Sequence, residues 1–303
     1  MTLLEQLIEE YPNKPWNWIK LSINSSISFK FINEHPELPW IPKMVTLNPN
    51  INDDVIINNP TYNWDYHAMC SNPNISFKFI FNTMINTPEQ IFIDWDKLSL
   101  SQGTTLDDIR QYPNLPWDDK YLSYNPNLNM NYISTEGVTR NWYIPAISAN
   151  SGITEKDIFQ NKLNWCTTNL SANPNLSIHY VSENINKPWN YHPISASKKI
   201  TMSEVNDYPN INWNYDGLSI NPNIFWEYII DNIDKQWNYR SIIMNNSIQL
   251  NTILDNYELI KSLGKFEKME IEKYLCNNQN VTYEWVTENI RYINFDYLSS
   301  NQI

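Results

Sequence analysis

Few residues in this chain have the types and spacing that chemistry requires. The five glycines are dispersed, so the clustered glycines of a phosphate-binding loop or a dinucleotide fingerprint are missing. Cys70, Cys166 and Cys276 lie far apart and form no Cys-x-x-Cys pair, which argues against a zinc site and against a disulfide framework. We interpret them as small core residues in a reducing compartment. The sequence therefore predicts no metal site and no cofactor.

Adjacent acids are the remaining candidates for general acid and base catalysis. They occur at Asp53-Asp54, Asp107-Asp108 and Asp118-Asp119, and such pairs can also bind a metal ion. Each pair stands where we expect a helix to begin, and the helix dipole stabilises negative charge there. We interpret the pairs as structural and predict no catalytic residue and no enzyme activity.

The net charge restricts the class of partner. The chain has 33 acidic and 21 basic residues and a formal charge of −12, so it repels nucleic acid phosphates and anionic membranes. We expect a basic or neutral protein partner and no membrane partner, and the charge disfavours nucleic acid. No apolar run approaches the roughly 20 residues of a membrane span, and the first ten residues lack the basic start of a signal peptide. An intracellular protein is expected.

The functional residues of the chain must be positioned by an internal repeat. Tryptophan recurs at intervals of 24 residues over long stretches, and Ile93 takes its place after a five-residue insertion. We call this position the anchor and count other positions from it. The anchors are Trp16, Trp40, Trp64, Ile93, Trp117, Trp142, Trp165, Trp189, Trp213 and Trp237.

The residues between anchors predict two helices, which we call helix A and helix B. Helix A starts around the anchor, carries an aliphatic residue and a serine five and six positions later, and ends at Asn-Pro-Asn, a turn-forming tripeptide. Helix B follows with an N-cap Ser, Thr or Asn. Three units have the spacing of a capping box, at Thr105 with Asp108, Thr154 with Asp157, and Thr201 with Glu204. Prolines directly before the anchor, such as Pro15, are expected in the first turn of helix A.

Helices of about eight residues are marginal in isolation and need neighbours to be stable. We therefore predict an all-α fold, an α-solenoid of about twelve tandem helix-turn-helix repeats of roughly 24 residues. A β-solenoid has repeats of similar length, but the L-x-x-L-x-L strand pattern is absent. Residues 1–256 form the regular array, with an irregular unit near 87–105. Residues 257–303 are degenerate repeats, in which the charged segment from Tyr257 to Cys276 is either a polar cap or a docking element.

One position varies while its surroundings repeat, three residues after the anchor. A solenoid aligns equivalent positions along one surface, so these residues are a candidate partner-binding stripe, or alternatively a solvated surface without a common role. His67 and His192 belong to it, and we expect the five repeats between them to hold them about 50 Å apart at about 10 Å per layer. The candidate residues are Ile19, Lys43, His67, Asp96, Lys120, Thr168, His192, Asp216 and Arg240. The aromatic residues two positions after the anchor, such as Trp18, are interpreted as core residues and not as a base-stacking ladder.

The combined motif, Pro-Trp-Asn-[Trp/Tyr]-x-x-Leu-Ser-x-Asn-Pro-Asn-Ile-[Ser/Thr], resembles the short Trp- and Asn-rich repeats found in large paralogous families of Mimivirus-like giant viruses. The resemblance covers nearly the whole chain. It implies a viral origin and a repeat-scaffold architecture, and it brings no common activity and no functional residue.

These observations favour a non-enzymatic scaffold for protein–protein interaction, which engages a host or viral protein in the host cytoplasm or the viral factory. The alternative is a structural component of a virion or viral assembly, in which self-association joins the copies. An RNA-binding solenoid is a third hypothesis, which the acidic charge disfavours.

Overall fold

A computed structural model describes residues 1–86, 93–161, 163–266 and 270–303. Within these ranges the chain contains 25 α-helices and no β-strand, which confirms the predicted all-α array of short helices. The helices are α1 Leu3–Glu10, α2 Trp18–Ile23, α3 Phe29–Glu34, α4 Pro42–Thr46, α5 Asp53–Asn58, α6 Tyr66–Met69, α7 Phe77–Asn86, α8 Trp95–Leu100, α9 Leu106–Gln111, α10 Asp119–Leu122, α11 Met130–Thr135, α12 Ile144–Ala149, α13 Glu155–Gln160, α14 Thr167–Leu170, α15 Ile178–Glu183, α16 Tyr191–Ala196, α17 Met202–Asp207, α18 Tyr215–Ser219, α19 Trp226–Asp231, α20 Tyr239–Met244, α21 Leu250–Asp255, α22 Tyr257–Gly264, α23 Glu270–Leu275, α24 Tyr283–Glu288 and α25 Phe295–Leu298.

The chain divides into two compact units. Unit 1 comprises Met1–Glu5 and Asn17–Cys166, and unit 2 comprises Gln6–Trp16 and Thr167–Ile303. Within each unit, helix A of one repeat packs directly on helix A of the next, as α2 does on α4 and α16 does on α18. The predicted change of regularity at residue 256 stays a prediction. Part of the irregular unit predicted near 87–105 lies outside the described residues, which resume at residue 93.

The anchor tryptophan lies before helix A and not inside it, contrary to the prediction. Trp16 is buried and its indole N–H donates to the Tyr11 carbonyl at 2.9 Å, which fixes the turn after helix B. Asn17 is the N-cap of α2, and its side chain accepts from the Lys20 amide. Pro15 therefore lies in the turn, so its predicted place in the first turn of the helix is also wrong. The same N-cap, Asn or Asp directly after the anchor, begins most A helices.

The helices are also shorter than the predicted eight residues. Apart from α1, α7 and α22 they have four to six residues, because a cap starts each helix late and a buried turn ends it early. The caps of helix B agree with the sequence. Ser28 accepts from the Phe31 amide, and all three predicted capping boxes form. The predicted first-turn positions of the acid pairs are confirmed as well.

In most repeats, a buried asparagine eight residues after the anchor links the repeat to the one before it. The Asn48 amide donates to the carbonyls of Ser22, Asn24 and Ile27 at 3.2, 2.8 and 3.3 Å. Its Oδ1 accepts from the Asn50 amide, which closes the Asn-Pro-Asn turn. We call these residues the ladder asparagines; further members with such bonds include Asn72, Asn125, Asn150, Asn221, Asn245, Asn278 and Asn301.

A buried hydroxyl six residues after the anchor makes a second link between repeats. Ser22 donates to the Trp18 carbonyl within its own helix and accepts from the Ile41 amide of the next repeat at 3.1 Å. Thr46, Ser99, Ser123, Ser148, Ser171, Ser195 and Ser219 accept an equivalent amide. Cys276 replaces the serine in one repeat, where its Sγ accepts from the Asn294 amide at 3.4 Å. The main chain of the next turn is therefore held by the previous helix.

Two of the three cysteines are core residues, as predicted. Cys70 and Cys276 are buried at the position of this hydroxyl, whereas Cys166 is half-buried and directly follows an anchor. No cysteine is in a disulfide.

In the described residues of the charged segment from Tyr257 to Cys276, which exclude 267–269, there is one additional helix and one ordinary helix A. Helix α22 is inserted after α21, and it ends at Lys265, whose φ of 53° is left-handed. Helix α23 then packs on α20. The ladder continues across the insertion, because Asn278 bonds the carbonyls of Ile243, Asn245 and Ile248.

Candidate functional site

The predicted stripe lies on the solvent side of the A helices. Its residues are exposed, except His192, which is half-buried. Residues seven positions after the anchor lie one turn further along the same face, because positions i and i+4 of a helix are neighbours. We call these two positions together the A face. Its second row consists mainly of apolar residues, none of them buried: Ile23, Leu47, Leu100, Tyr124, Ala149, Ala172, Ala196, Ile220 and Met244.

In unit 1, stripe residues contact the start of the next A helix. His67 Nε2 lies 3.7 Å from Asp94 Oδ2, and the ammonium group of Lys97 lies 3.2 Å from the same carboxylate. Desolvation opposes ionisation of Asp94, but hydrogen bonds from Lys97 outweigh it and lower the pKa of this carboxyl group. Lys120 Nζ stands 5.7 Å from the ring centroid of Tyr143. The stripe residues thus share weak contacts that sequence analysis did not find.

In unit 2, such contacts connect three consecutive A helices. Asp216 accepts from the N-cap Asn238 at 2.6 Å, and its other oxygen lies 3.2 Å from His192 Nε2. Thr168 donates to the Pro188 carbonyl, and the guanidinium of Arg240 lies over the Tyr274 ring at 4.8 Å. Contacts between groups this exposed contribute about 0–1 kcal/mol each, so they leave the residue types free to vary.

A pocket in unit 2 brings together the two surfaces that the sequence suggested for partner binding. It has a volume of about 390 Å³ and is lined by the stripe residues Asp216 and Arg240, by Asn238 and Tyr239, and by Leu263 and Phe266 of the charged segment. Tyr239 is 7% exposed, and its hydroxyl has no hydrogen-bond partner within the described ranges. Burial raises the pKa of this hydroxyl, so it is neutral at physiological pH. An acidic, a basic and an amide side chain line the same concavity, namely Asp216, Arg240 and Asn238.

A larger pocket of about 670 Å³ in unit 1 was not foreseen. Arg110, Glu136, Asp119 and Arg140 are among the residues that line it. Arg110 makes a two-pronged bond to Glu136 at 2.6 and 2.8 Å, and Arg140 donates to Asp119 at 2.7 Å. Both guanidinium groups are already paired with carboxylates, so the pocket offers no uncompensated charge to a ligand. The bonded partners lie more than 20 residues apart in sequence, and no sequence motif predicts these pairs.

The candidates for chemistry have structural contacts of their own. Asp53 accepts from the amide and hydroxyl of Ser76 and so joins two B helices, and Asp118 is the N-cap of α10. Within the ranges that the structure covers, no three His, Cys, Asp or Glu side chains are grouped as metal ligands would be. None of the described helices combines the length and apolar character that crossing a bilayer requires.

The aromatic residues two positions after the anchor pack against the next repeat, as the core interpretation predicts. Trp18 meets the ring of Trp40 edge to face at 5.2 Å, and Tyr215 meets Trp237 in the same way at 4.9 Å.

No protein-family model matches the chain, and comparisons with curated proteins and with solved structures also found no match.

Proposed function

We propose that this chain is a non-enzymatic scaffold that binds another protein through the A face. One observation carries the proposal. The A face combines residues of varied type, nearly all exposed, with a row of mainly apolar residues of which none is buried. Ile23, Leu100, Tyr124 and Ile220 occupy equivalent positions, and each is more than a third exposed. A surface whose only role is contact with solvent would have polar residues at these positions.

The chemistry of the A face indicates the kind of partner. The apolar row supplies area whose burial stabilises a complex, and the charged stripe residues supply orientation and specificity. The pocket at Asp216 and Arg240 offers one carboxylate and one guanidinium group. Since the chain carries a formal charge of −12, a basic protein is attracted, a neutral protein is not repelled, and nucleic acid is repelled. The viral origin and the host or viral identity of the partner rest on the resemblance of the repeats alone.

The experiment compares two charge-reversal variants of the tagged full-length chain, recovered from infected host cells. The first carries Lys43→Glu, Lys120→Glu and Arg240→Glu on the A face. The second carries Lys30→Glu, Lys156→Glu and Lys199→Glu, which are exposed, lie outside the A face and change the net charge equally. We expect the control to retain a stoichiometric protein partner and the A-face variant to lose it. Purified partner should then bind the A-face variant about tenfold more weakly, a difference of about 1.4 kcal/mol.

Circular dichroism establishes that both variants are folded before binding is compared. Equal recovery of the same partner by both variants would show that the A face is only a solvated surface. A partner lost equally by both would indicate a response to overall charge. RNA recovered in place of protein, and released by salt, would favour the RNA-binding alternative.

A further inference from the structure

Consecutive repeats meet through one recurring aromatic contact. The residue two positions after one anchor stands edge to face against the next anchor tryptophan. Trp18 meets Trp40 at 5.2 Å and 85°, and Trp95 meets Trp117 at 5.4 Å and 89°. Tyr215 meets Trp237 at 4.9 Å and 89° in the other unit. This geometry therefore identifies a repeat and its direct successor.

The same contact occurs within unit 2 between residues from opposite ends of the sequence. Phe295 lies two positions after Ile293, a buried residue in the anchor position, and its ring meets Trp16 at 4.8 Å and 81°. Trp16 and Phe295 are both buried, at 6% and 5% exposure. Trp16 thus contacts the repeat that contains Phe295 in the same way as the other anchors contact the repeat before them.

Polar contacts from the same N-terminal stretch extend this junction. The Tyr283 hydroxyl donates to the Glu10 carboxylate, and Lys14 Nζ lies 5.7 Å from the centroid of the Phe295 ring. We call Gln6–Trp16, seated on Phe295 and Tyr283, the terminal junction. Ordinary repeat-to-repeat surfaces form it, so nothing in its contacts requires that both sides belong to one chain.

We infer that the terminal junction is exchangeable, so that Gln6–Trp16 of one copy docks on the Phe295 repeat of a second copy. The partner at this surface is therefore the protein itself. An opened junction exposes Trp16 on one side and Phe295 on the other, whereas the free edge of a repeat array needs polar residues for solubility. Because both sides of the junction belong to one covalent chain, the internal junction is favoured at low protein concentration. A second copy replaces it when that internal contact is weakened or when chains fold together at high concentration.

Two single variants of the full-length chain test this inference when they are mixed. Trp16→Ala disables the docking segment and keeps an intact Phe295 repeat, whereas Phe295→Ala does the reverse. In each variant alone, one of the two sides of the terminal junction is altered. In the mixture, the intact Gln6–Trp16 segment of a Phe295→Ala chain can dock on the intact Phe295 repeat of a Trp16→Ala chain. Light scattering after gel filtration should give 36.0 kDa for each variant alone and twice that mass for the mixture. Trp213→Ala mixed with Phe295→Ala is the matched control, and it should stay monomeric because Trp213 is an anchor away from the junction.

A mixture that stays monomeric while both variants are folded would overturn the inference. If either variant fails to fold, the wild-type chain decides the question. Chains labelled with ¹⁴N and ¹⁵N are unfolded and refolded together, and cross-linked at Lys14 and Lys273, whose ammonium groups lie over Phe295 and Tyr297 of α25. We expect mixed-isotope cross-links between these two lysines in the dimer fraction. Cross-links confined to one isotope at every protein concentration would refute exchange. The result is independent of whether the A face binds another protein.

Discussion

The side-chain amide of Asn48 donates to the carbonyl oxygen of Asn24, the equivalent residue one repeat earlier, at 2.8 Å. The two residues are 24 positions apart in sequence, and Asn48 is fully buried. Each ladder asparagine thus supplies a side-chain donor to main-chain carbonyls of the preceding repeat. Because a buried polar group without a partner costs more free energy than a hydrogen bond contributes, the ladder should control the stability of the array.

Replacing Asn48 tests the ladder directly. Asn48→Ala should lower the free energy of unfolding by about 2–3 kcal/mol, because three buried carbonyls lose a donor. Asn48→Asp should cost more, since it turns a carboxylate toward those carbonyl oxygens. Asn58→Ala, at an exposed residue of the same type, should change the stability by less than about 0.5 kcal/mol. Urea denaturation measures all three, and equal midpoints for Asn48→Ala and Asn58→Ala would contradict the role of the ladder.

The buried hydroxyl can be tested at Ser219. Ser219→Ala should speed hydrogen exchange at the Asn238 amide, because that amide loses its acceptor at 2.9 Å. A cost of about 1–3 kcal/mol follows from leaving it buried and unpaired. Ser219→Cys should be milder, since Cys276 accepts an equivalent amide elsewhere. Hydrogen-exchange mass spectrometry of the peptide that contains Asn238 gives the answer, and unchanged exchange in Ser219→Ala would argue against the link.

Thiol labelling should distinguish the three cysteines by their rates of reaction. Burial raises the pKa of the Cys276 thiol to about 11 and also raises the pKa of Cys70, so both have little of the reactive thiolate at pH 8. Cys166 is half-buried. Iodoacetamide should modify Cys166 first in the folded chain and all three equally in urea, as followed by peptide mass spectrometry. Rapid labelling of Cys276 without denaturant would contradict its placement.

The Glu10–Tyr283 pair gives the terminal junction a defined pH dependence. The hydrogen bond lowers the pKa of Glu10 below 4.5 and raises the pKa of Tyr283 from 10.0 to about 12. Glu10 therefore stabilises the fold above its unfolded pKa, and this contribution is lost as the pH falls through the lowered value. Neutral Tyr283 stabilises below pH 10, and its contribution disappears as the pH rises toward about 12.

Melting curves of wild type and Tyr283→Phe over a range of pH isolate this pair, because the other titratable groups, including Tyr11 and Glu284, are common to both proteins. The difference in Tm should be constant between about pH 5 and about pH 9.5 and should shrink outside that interval. A difference that grows at either extreme would show that the bond is not formed in solution. The pair is exposed, so the effect should be small.

Local patterns made much of the fold predictable. The 24-residue period and the caps at Thr105, Thr154 and Thr201 are encoded by neighbouring residues, so the sequence shows them directly. The position of the anchor was misjudged because Asn17 has a capping role that its Trp and Pro neighbours obscure. Asn48 was interpreted only as a turn former, which is a sufficient local role. Its amide partners lie in the preceding repeat and become visible only when the repeats are stacked.

The A face was likewise only partly predictable from the sequence. Exposure of the stripe could be inferred from the variation among Ile19, Lys43 and Asp96, since residues of such different type share no packing requirement. Its contacts could not be inferred, because the offset between successive helices decides that His192 meets Asp216 and that Arg240 covers Tyr274. The terminal junction was missed because Trp16 and Phe295 are at opposite ends of the sequence.

The ladder also determines how such a gene can change in length. Asn245 bonds the carbonyl of Asn221, 24 residues earlier, whereas Asn278 makes the same bond to Asn245 across 33 residues, because α22 lies between its helix B and the next helix A. A duplication or deletion of one whole unit gives every ladder asparagine an equivalent partner, and extra residues before an anchor are tolerated. A loss of two or three residues inside a unit instead leaves a buried amide facing the wrong carbonyls. Paralogues built on this design should therefore differ by whole repeats and by insertions before helix A.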